Sequence, residues 1–157
     1  MEILLLAIVL LPLLTALGIK LVDKFINETL INFLTINSAL LSFTIASGMF
    51  VLLTMEKFEP IHFTFFTWLT SPEILFEFTL DGLSGIMMVL VTGLSVVIQI
   101  FSTSYMSQDE HYSKYFIYFN VFVFSMLLLV MSGNFLVMFF GWELVGLSSY
   151  LLISFWS

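Results

Sequence analysis

The stretch FLVMFFGWELVGLSSYLLISFW, residues 135–156, decides the fold class of this chain. Its 22 residues are long enough to cross the apolar part of a bilayer as one helix. Its single charged side chain, Glu143, lies about 12 Å along such a helix from Phe135 and about 20 Å from Trp156, near the middle of the membrane. Because a carboxylate at that depth is costly, Glu143 is the first candidate for a functional residue.

The composition of the whole chain also indicates an integral membrane protein. Of the 157 residues, 61% are hydrophobic, which excludes an ordinary soluble domain and a disordered chain. The net charge is −7, with four Lys and no Arg, so nucleic-acid binding has no electrostatic basis. The absence of Cys excludes iron–sulfur ligation, thiolate metal sites and Cys nucleophiles within these residues.

Five apolar runs predict five membrane-spanning helices in a single membrane domain that covers residues 1–157. The predicted spans cover about residues 3–19, 30–55, 82–106, 115–131 and 135–156. The predicted fold class is therefore an all-α integral membrane protein, with one small β element between the second and third spans.

That β element is predicted from residues 57–81. The segments Ile61–Phe65 and Phe76–Leu80 alternate with period two, and Ser71-Pro72-Glu73 between them is a turn signal. The pattern predicts a β-hairpin on the membrane surface. Asp81, which follows it, is expected to cap the third helix.

The lysines predict an orientation. Lys20, Lys24 and Lys114 lie in the first and third loops, and Lys57 lies in the second. Three against one places the first and third loops on the inner side of the membrane. The N-terminus and the hairpin are then expected on the outer side.

Two polar features within the spans are candidates for chemistry. Glu143 has no cation in its own span, so its carboxyl must be protonated, hydrated, or paired with a cation elsewhere. It is either a proton relay or a protonated partner in one structural interhelical hydrogen bond. The second feature is a polar stripe on one face of the third span, formed by Thr92, Ser95, Gln99 and Ser102. Either this stripe lines a hydrated path, together with Tyr150 of the fifth span, or its side chains hold helices together by hydrogen bonds.

Three blocks of sequence resemble a known family. FFGWELVGLSSYLLISFW at residues 139–156 is similar to the fifth-span signature of NADH dehydrogenase subunit 5, the distal antiporter-like subunit of respiratory complex I. FTLDGLS at residues 78–84 and FSTSYM at residues 101–106 resemble the beginning and end of the third helix of that family. The resemblance extends over essentially the whole chain.

The resemblance implies a function and a setting. It implies a membrane-arm subunit that takes part in proton translocation coupled to NADH:ubiquinone oxidoreduction, in the mitochondrial inner membrane with the N-terminus on the intermembrane-space side. In that family the glutamate at the position of Glu143 faces a lysine on a later, broken helix. No cofactor is expected in this chain, because flavin and iron–sulfur clusters are expected in other subunits.

The resemblance also implies partners. The family has many more spans than five, including the one that carries the partner lysine. We therefore expect other complex I membrane-arm subunits and the lipid bilayer around this chain, and a separate chain that carries the rest of subunit 5. Two alternatives remain at this stage: part of a multisubunit cation/proton antiporter, or a non-conducting assembly scaffold.

Overall fold

The computed structural model describes residues 1–55 and 59–156, and within them five helices are long and apolar enough to cross a membrane. Their bounds are α1 (Glu2–Val22), α2 (Glu28–Thr54), α3 (Gly82–Tyr105), α4 (Tyr112–Val130) and α5 (Phe135–Ile153). A 3-10 turn, Ser154–Trp156, follows α5. The predicted number of spans is confirmed.

The helix ends differ from the ends of the apolar runs by a few residues. Helix α1 continues through Lys20 to Val22, and α4 begins at Tyr112 rather than near residue 115. Hydropathy locates the part of a helix that lies in hydrocarbon. A helix itself continues through interfacial residues, because long amphipathic side chains such as lysine bend their polar ends towards water.

The predicted hairpin between α2 and α3 is also confirmed. Strand β1 (Ile61–Thr70) pairs antiparallel with β2 (Glu73–Leu80), with Phe63 opposite Phe78. Both strands are longer than the alternating segments, because two shifts of register interrupt the alternation. The first predicted residues of the hairpin, including Lys57, lie outside the described residues.

The hairpin is bonded to the turn between α4 and α5. The backbone N–H of Thr79 donates to Met131 O at 2.8 Å, and that of Gly133 donates to Glu77 O at 2.9 Å. Asn134 has two roles: its Oδ1 accepts from the N–H of Val137 and caps α5, and its Nδ2 donates to Leu75 O at 2.6 Å. The start of α5 is thereby held in place by the hairpin.

A capping box begins α3, as expected for Asp81. The Asp81 side chain accepts from the backbone N–H of Ser84, and the Ser84 hydroxyl accepts from the backbone N–H of Asp81. The hydrogen bond from the Ser84 backbone lowers the pKa of the Asp81 carboxyl below its usual range. The cap is therefore a carboxylate at a helix N-terminus, where the helix dipole also favours it.

The buried apolar side chains form two separate clusters. The cluster at the hairpin end includes Leu5 and Ile8 of α1 together with Phe78 and Leu80 of β2. The cluster at the opposite end joins α1 to α4 and includes Ile19 and Phe116, with Met106. Because α1 enters the first cluster near its N-terminus, the N-terminus and the hairpin lie at the same end of the bundle.

Six buried polar residues on three helices form what we call the polar layer; on α2 and α3 they lie between members of the two clusters, and on α4 the layer residue follows Phe119 of the first cluster. They are Thr35 and Ser42 of α2, Thr92, Ser95 and Gln99 of α3, and Asn120 of α4. Nearby, hydroxyls also link α2 to α1: Ser42 Oγ donates to Ile8 O at 3.4 Å and Thr15 Oγ1 donates to Ser38 Oγ at 2.7 Å. Polar side chains thus join helices at this level.

Candidate functional site: the Glu143 face of α5

Helix α5 packs on α4 with one narrow face. Val137, Gly141 and Ser148 are buried there, and Gly141 makes the closest approach. A Cβ atom at Gly141 would lie 2.9 Å from the Cα of Leu129, so only glycine fits against the α4 backbone. The Ser148 hydroxyl donates to Leu144 O, so this polar group is satisfied within its own helix.

The opposite side of α5 has no packing partner in the described part of the chain. We call it the Glu143 face, and it consists of Phe139, Trp142, Glu143, Gly146, Leu147 and Tyr150, all exposed. The spacing of these residues, i, i+3, i+4, i+7, i+8 and i+11, is that of one helical stripe. Gly146 has no atom within 4 Å of the position of a Cβ, so the stripe is open at its middle.

Glu143 itself lies at the centre of this face. Neither a hydrogen bond nor an ion pair joins its carboxyl to residues 1–55 or 59–156. Of the cations in the described residues, Lys20 and Lys24 lie at the end of α1 and beyond it, and Lys114 lies in the first turn of α4. These are the membrane ends of helices, whereas Glu143 is in the middle of one.

The α3 stripe lies in a different environment. Thr92, Ser95, Gln99 and Ser102 are all buried inside the bundle, as their shared helical face predicts. Thr92 donates to Met88 O at 2.8 Å and Ser102 donates to Ile98 O at 2.7 Å, while Gln99 Nε2 donates to Ser95 Oγ at 3.0 Å. The four stripe residues are thus brought together.

Tyr150 is not part of that group. Its side chain is 66% exposed on the Glu143 face, whereas Gln99 is only 1% exposed. The structure therefore separates the sequence-predicted residues into two sets, Glu143 with Tyr150 and the α3 stripe. Whether the stripe forms a path stays a prediction.

One partner of the stripe was not predicted. The Tyr115 hydroxyl lies 2.8 Å from Ser102 Oγ and links the end of α3 to the start of α4. Tyr115 lies at the edge of an apolar run. A tyrosine is common at that position in membrane helices, because its amphipathic ring suits the interface, so the sequence alone did not indicate a contact. The contact could have been predicted from the short loop between α3 and α4. Such a loop makes the two helices antiparallel neighbours and brings residues 102 and 115 to the same depth.

Residues 1–55 and 59–156 contain no cluster of metal-binding side chains. These residues contain no group of three or more His, Asp or Glu side chains that could hold a metal ion. The titratable group of interest is therefore the isolated carboxyl of Glu143.

Five apolar helices, one of them with a carboxyl near its middle, define a multi-pass membrane protein. The solved structure of the membrane-bound sulfane sulfur reductase, an archaeal respiratory membrane complex, contains a chain with this fold. The TM-score is 0.80 over 93% of this chain and 29% of that one, at 20% sequence identity. At that identity the match establishes the fold.

Sequence comparison identifies the family. Residues 68–116 match the family described as NADH-ubiquinone oxidoreductase (complex I), chain 5 N-terminus. NADH-ubiquinone oxidoreductase chain 5 of Rhizopus stolonifer is 39% identical over 153 residues, which is 96% of this chain and 23% of that protein. The NADH-quinone oxidoreductase subunit L of Buchnera aphidicola is also 39% identical over 153 residues. The chain belongs to the complex I chain 5 family and matches its N-terminal region.

The match covers only part of each relative. The chain spans about a quarter of the length of the chain 5 and subunit L proteins, with 23% and 25% of those two proteins aligned. The relatives therefore extend well beyond the matched region.

We predict opposite outcomes for two glycine variants of α5. Gly141→Ala places a methyl group against the α4 backbone and should destabilise the chain by about 1–3 kcal/mol through overpacking. Gly146→Ala adds the same methyl group in open space and should leave the chain's own packing unchanged. Immunodetection of the chain expressed in membranes without other subunits should show reduced accumulation for the first variant alone. Equal accumulation of the two would contradict the described α4–α5 contact.

Proposed function

We propose that this chain forms part of a membrane-arm subunit of respiratory complex I and takes part in proton translocation coupled to NADH:ubiquinone oxidoreduction. The observation that carries the proposal is Glu143: a carboxyl in the middle of a span, on an open helix face, in a sequence that belongs to the chain 5 family. The chain itself carries out no redox chemistry. Flavin and iron–sulfur clusters belong to other subunits in this proposal.

In the proposed mechanism Glu143 loads and releases a proton. Removal of a carboxyl from water favours its protonated form, and a nearby cation favours its ionised form. A lysine that approaches Glu143 would therefore release the proton, and a lysine that withdraws would allow the carboxyl to load again. Movement of the cation, driven by quinone reduction elsewhere in the complex, would convert a change of distance into proton transfer.

The cation is proposed to come from another polypeptide. The lysines of the described residues, Lys20, Lys24 and Lys114, lie at or beyond helix ends, and a buried carboxylate without a partner costs several kcal/mol. We propose that a lysine on another membrane-arm polypeptide, a separate chain that carries the rest of subunit 5, lies against the Glu143 face. Gly146 supports this arrangement, because small residues allow helices in a membrane to approach closely.

Purification of the native assembly tests both the complex and the split subunit. We expect the chain to co-migrate with flavin and iron–sulfur absorbance and to give an intact mass of about 18.0 kDa in denaturing mass spectrometry. Co-migration without those chromophores would favour a cation/proton antiporter. An intact mass several times larger would reject a separate second chain while leaving the complex I assignment in place.

The orientation has its own test. We propose that the chain lies in the mitochondrial inner membrane with its N-terminus and hairpin on the intermembrane-space side, as the lysine bias predicts. The absence of Cys makes single-cysteine variants selective within this chain. In mitoplasts, an impermeant maleimide should label His62→Cys of the hairpin at once and Glu110→Cys of the opposite loop only after permeabilisation. The reverse order of labelling would contradict the proposal.

The relay role is tested by Glu143→Gln. The amide keeps the shape and the hydrogen bonding of the carboxyl but does not titrate, so proton pumping should fall at least tenfold, about 1.4 kcal/mol in the barrier, while the assembly is retained. Glu143→Asp should be milder because it still titrates. The measurement is the initial rate of NADH-driven proton uptake into sealed vesicles, at equal amounts of assembled complex.

Glu2→Gln is the matched control for that measurement. Glu2 lies in the exposed first turn of α1, so its amide variant changes the net charge equally without removing a carboxyl from the middle of the membrane. Normal pumping by Glu143→Gln would leave Glu143 with only a structural hydrogen-bonding role.

A further inference from the structure

The interior of the bundle contains a polar group whose hydrogen bonding is incomplete. Gln99 Oε1 is buried and accepts no hydrogen bond from the described residues, whereas Gln99 Nε2 donates to Ser95 Oγ. Exchanging the amide oxygen and nitrogen does not remove the problem, because the nitrogen would then occupy the position without a partner. A buried amide oxygen is ordinarily satisfied by protein or by an ordered water molecule.

The surroundings of Gln99 form a second, independent observation. The amide belongs to the polar layer, which interrupts the apolar core between the cluster at the hairpin end and the cluster at the opposite end. The layer also contains buried hydroxyl and amide groups on α2 and α4, namely Thr35, Ser42 and Asn120, all at most 2% exposed. Small side chains at the same level, Ala16 and Ala39, belong to neither apolar cluster.

We propose that the polar layer holds a bound water molecule that donates a hydrogen bond to Gln99 Oε1. Water fits the site better than an ion, because the layer contains neutral hydroxyl and amide groups and no carboxylate or ammonium. A buried water molecule needs two to four polar partners. Besides Gln99 Oε1, the layer contains hydroxyl and amide groups on three helices.

The site has a structural role distinct from the Glu143 relay. The water bonds to an amide buried inside the bundle, whereas Glu143 lies on the exposed face of α5. The inference does not depend on the proposed function, because it requires only the buried amide and its neighbours.

The variant Gln99→Met tests the site in native membranes. Met is apolar and close to Gln in volume. The variant also removes the bond from Gln99 Nε2 to Ser95 Oγ, so Ser95→Ala, which loses that bond alone, is the reference. If Oε1 accepts from water, Gln99→Met loses a further bond, and we expect its apparent midpoint of thermal denaturation to lie about 3 °C below that of Ser95→Ala. If Oε1 has no partner, the variant removes a buried unsatisfied oxygen, and its midpoint equals or exceeds that of Ser95→Ala. That second result would overturn the proposal.

Thr103→Val is the matched control. Thr103 lies on the same helix, one turn beyond Gln99, and its hydroxyl donates to Ile100 O of its own helix near the surface. This variant also replaces a polar side chain with an apolar one of similar shape, but outside the layer. Its midpoint should equal that of the unaltered chain.

The water molecule can also be observed directly, which does not require the Gln99 variant to accumulate. A density map of the native assembly, at a resolution that shows other buried water molecules, should contain a peak about 2.8 Å from Gln99 Oε1. A map that shows other buried waters but has no peak there, or that shows a side chain of another subunit in its place, would overturn the inference.

Discussion

Hydrocarbon offers no hydrogen-bond partners, so every polar group that enters the bilayer must be satisfied by the protein or by bound water. Most hydroxyls in these helices meet that constraint locally: Thr92, Ser102, Ser125 and Ser148 each donate to a carbonyl one turn earlier in their own helix. The same constraint explains the capped starts of α2, α3 and α5, where Asn27, Asp81 and Asn134 each accept from a free backbone N–H.

Gln99 Oε1 and the Glu143 carboxyl both lack a hydrogen-bond partner among the described residues, and their surroundings differ. Gln99 Oε1 points into the α1–α4 bundle, where a small ligand completes its bonding without any other protein. Glu143 lies on the outer face of α5, where only a neighbouring polypeptide, lipid or membrane-associated water can reach it. The first therefore concerns the stability of this chain, and the second concerns what the chain does with others.

The hairpin and Gly141 determine which face of α5 remains open. Asn134 and Gly133 bond the start of α5 to β2, and Gly141 brings the middle of α5 against the α4 backbone. These contacts fix the rotation of α5 about its axis, so that Val137 and Ser148 face α4 while Glu143 faces away. The position of the carboxyl is thus a consequence of close helix packing elsewhere on the same helix.

Sequence patterns were enough to predict the five spans, the hairpin, the Asp81 cap, the position of Glu143 within its span, and the shared face of Thr92, Ser95, Gln99 and Ser102. Each of these depends on local hydropathy, period or propensity, which neighbouring residues in the chain specify. Tertiary structure alone decided that Tyr150 is separated from the α3 stripe, that Tyr115 meets Ser102, that Gln99 lacks a partner, and that Glu143 faces away from the bundle. These features depend on how helices rotate and pair, and contacts between residues distant in the sequence set that geometry.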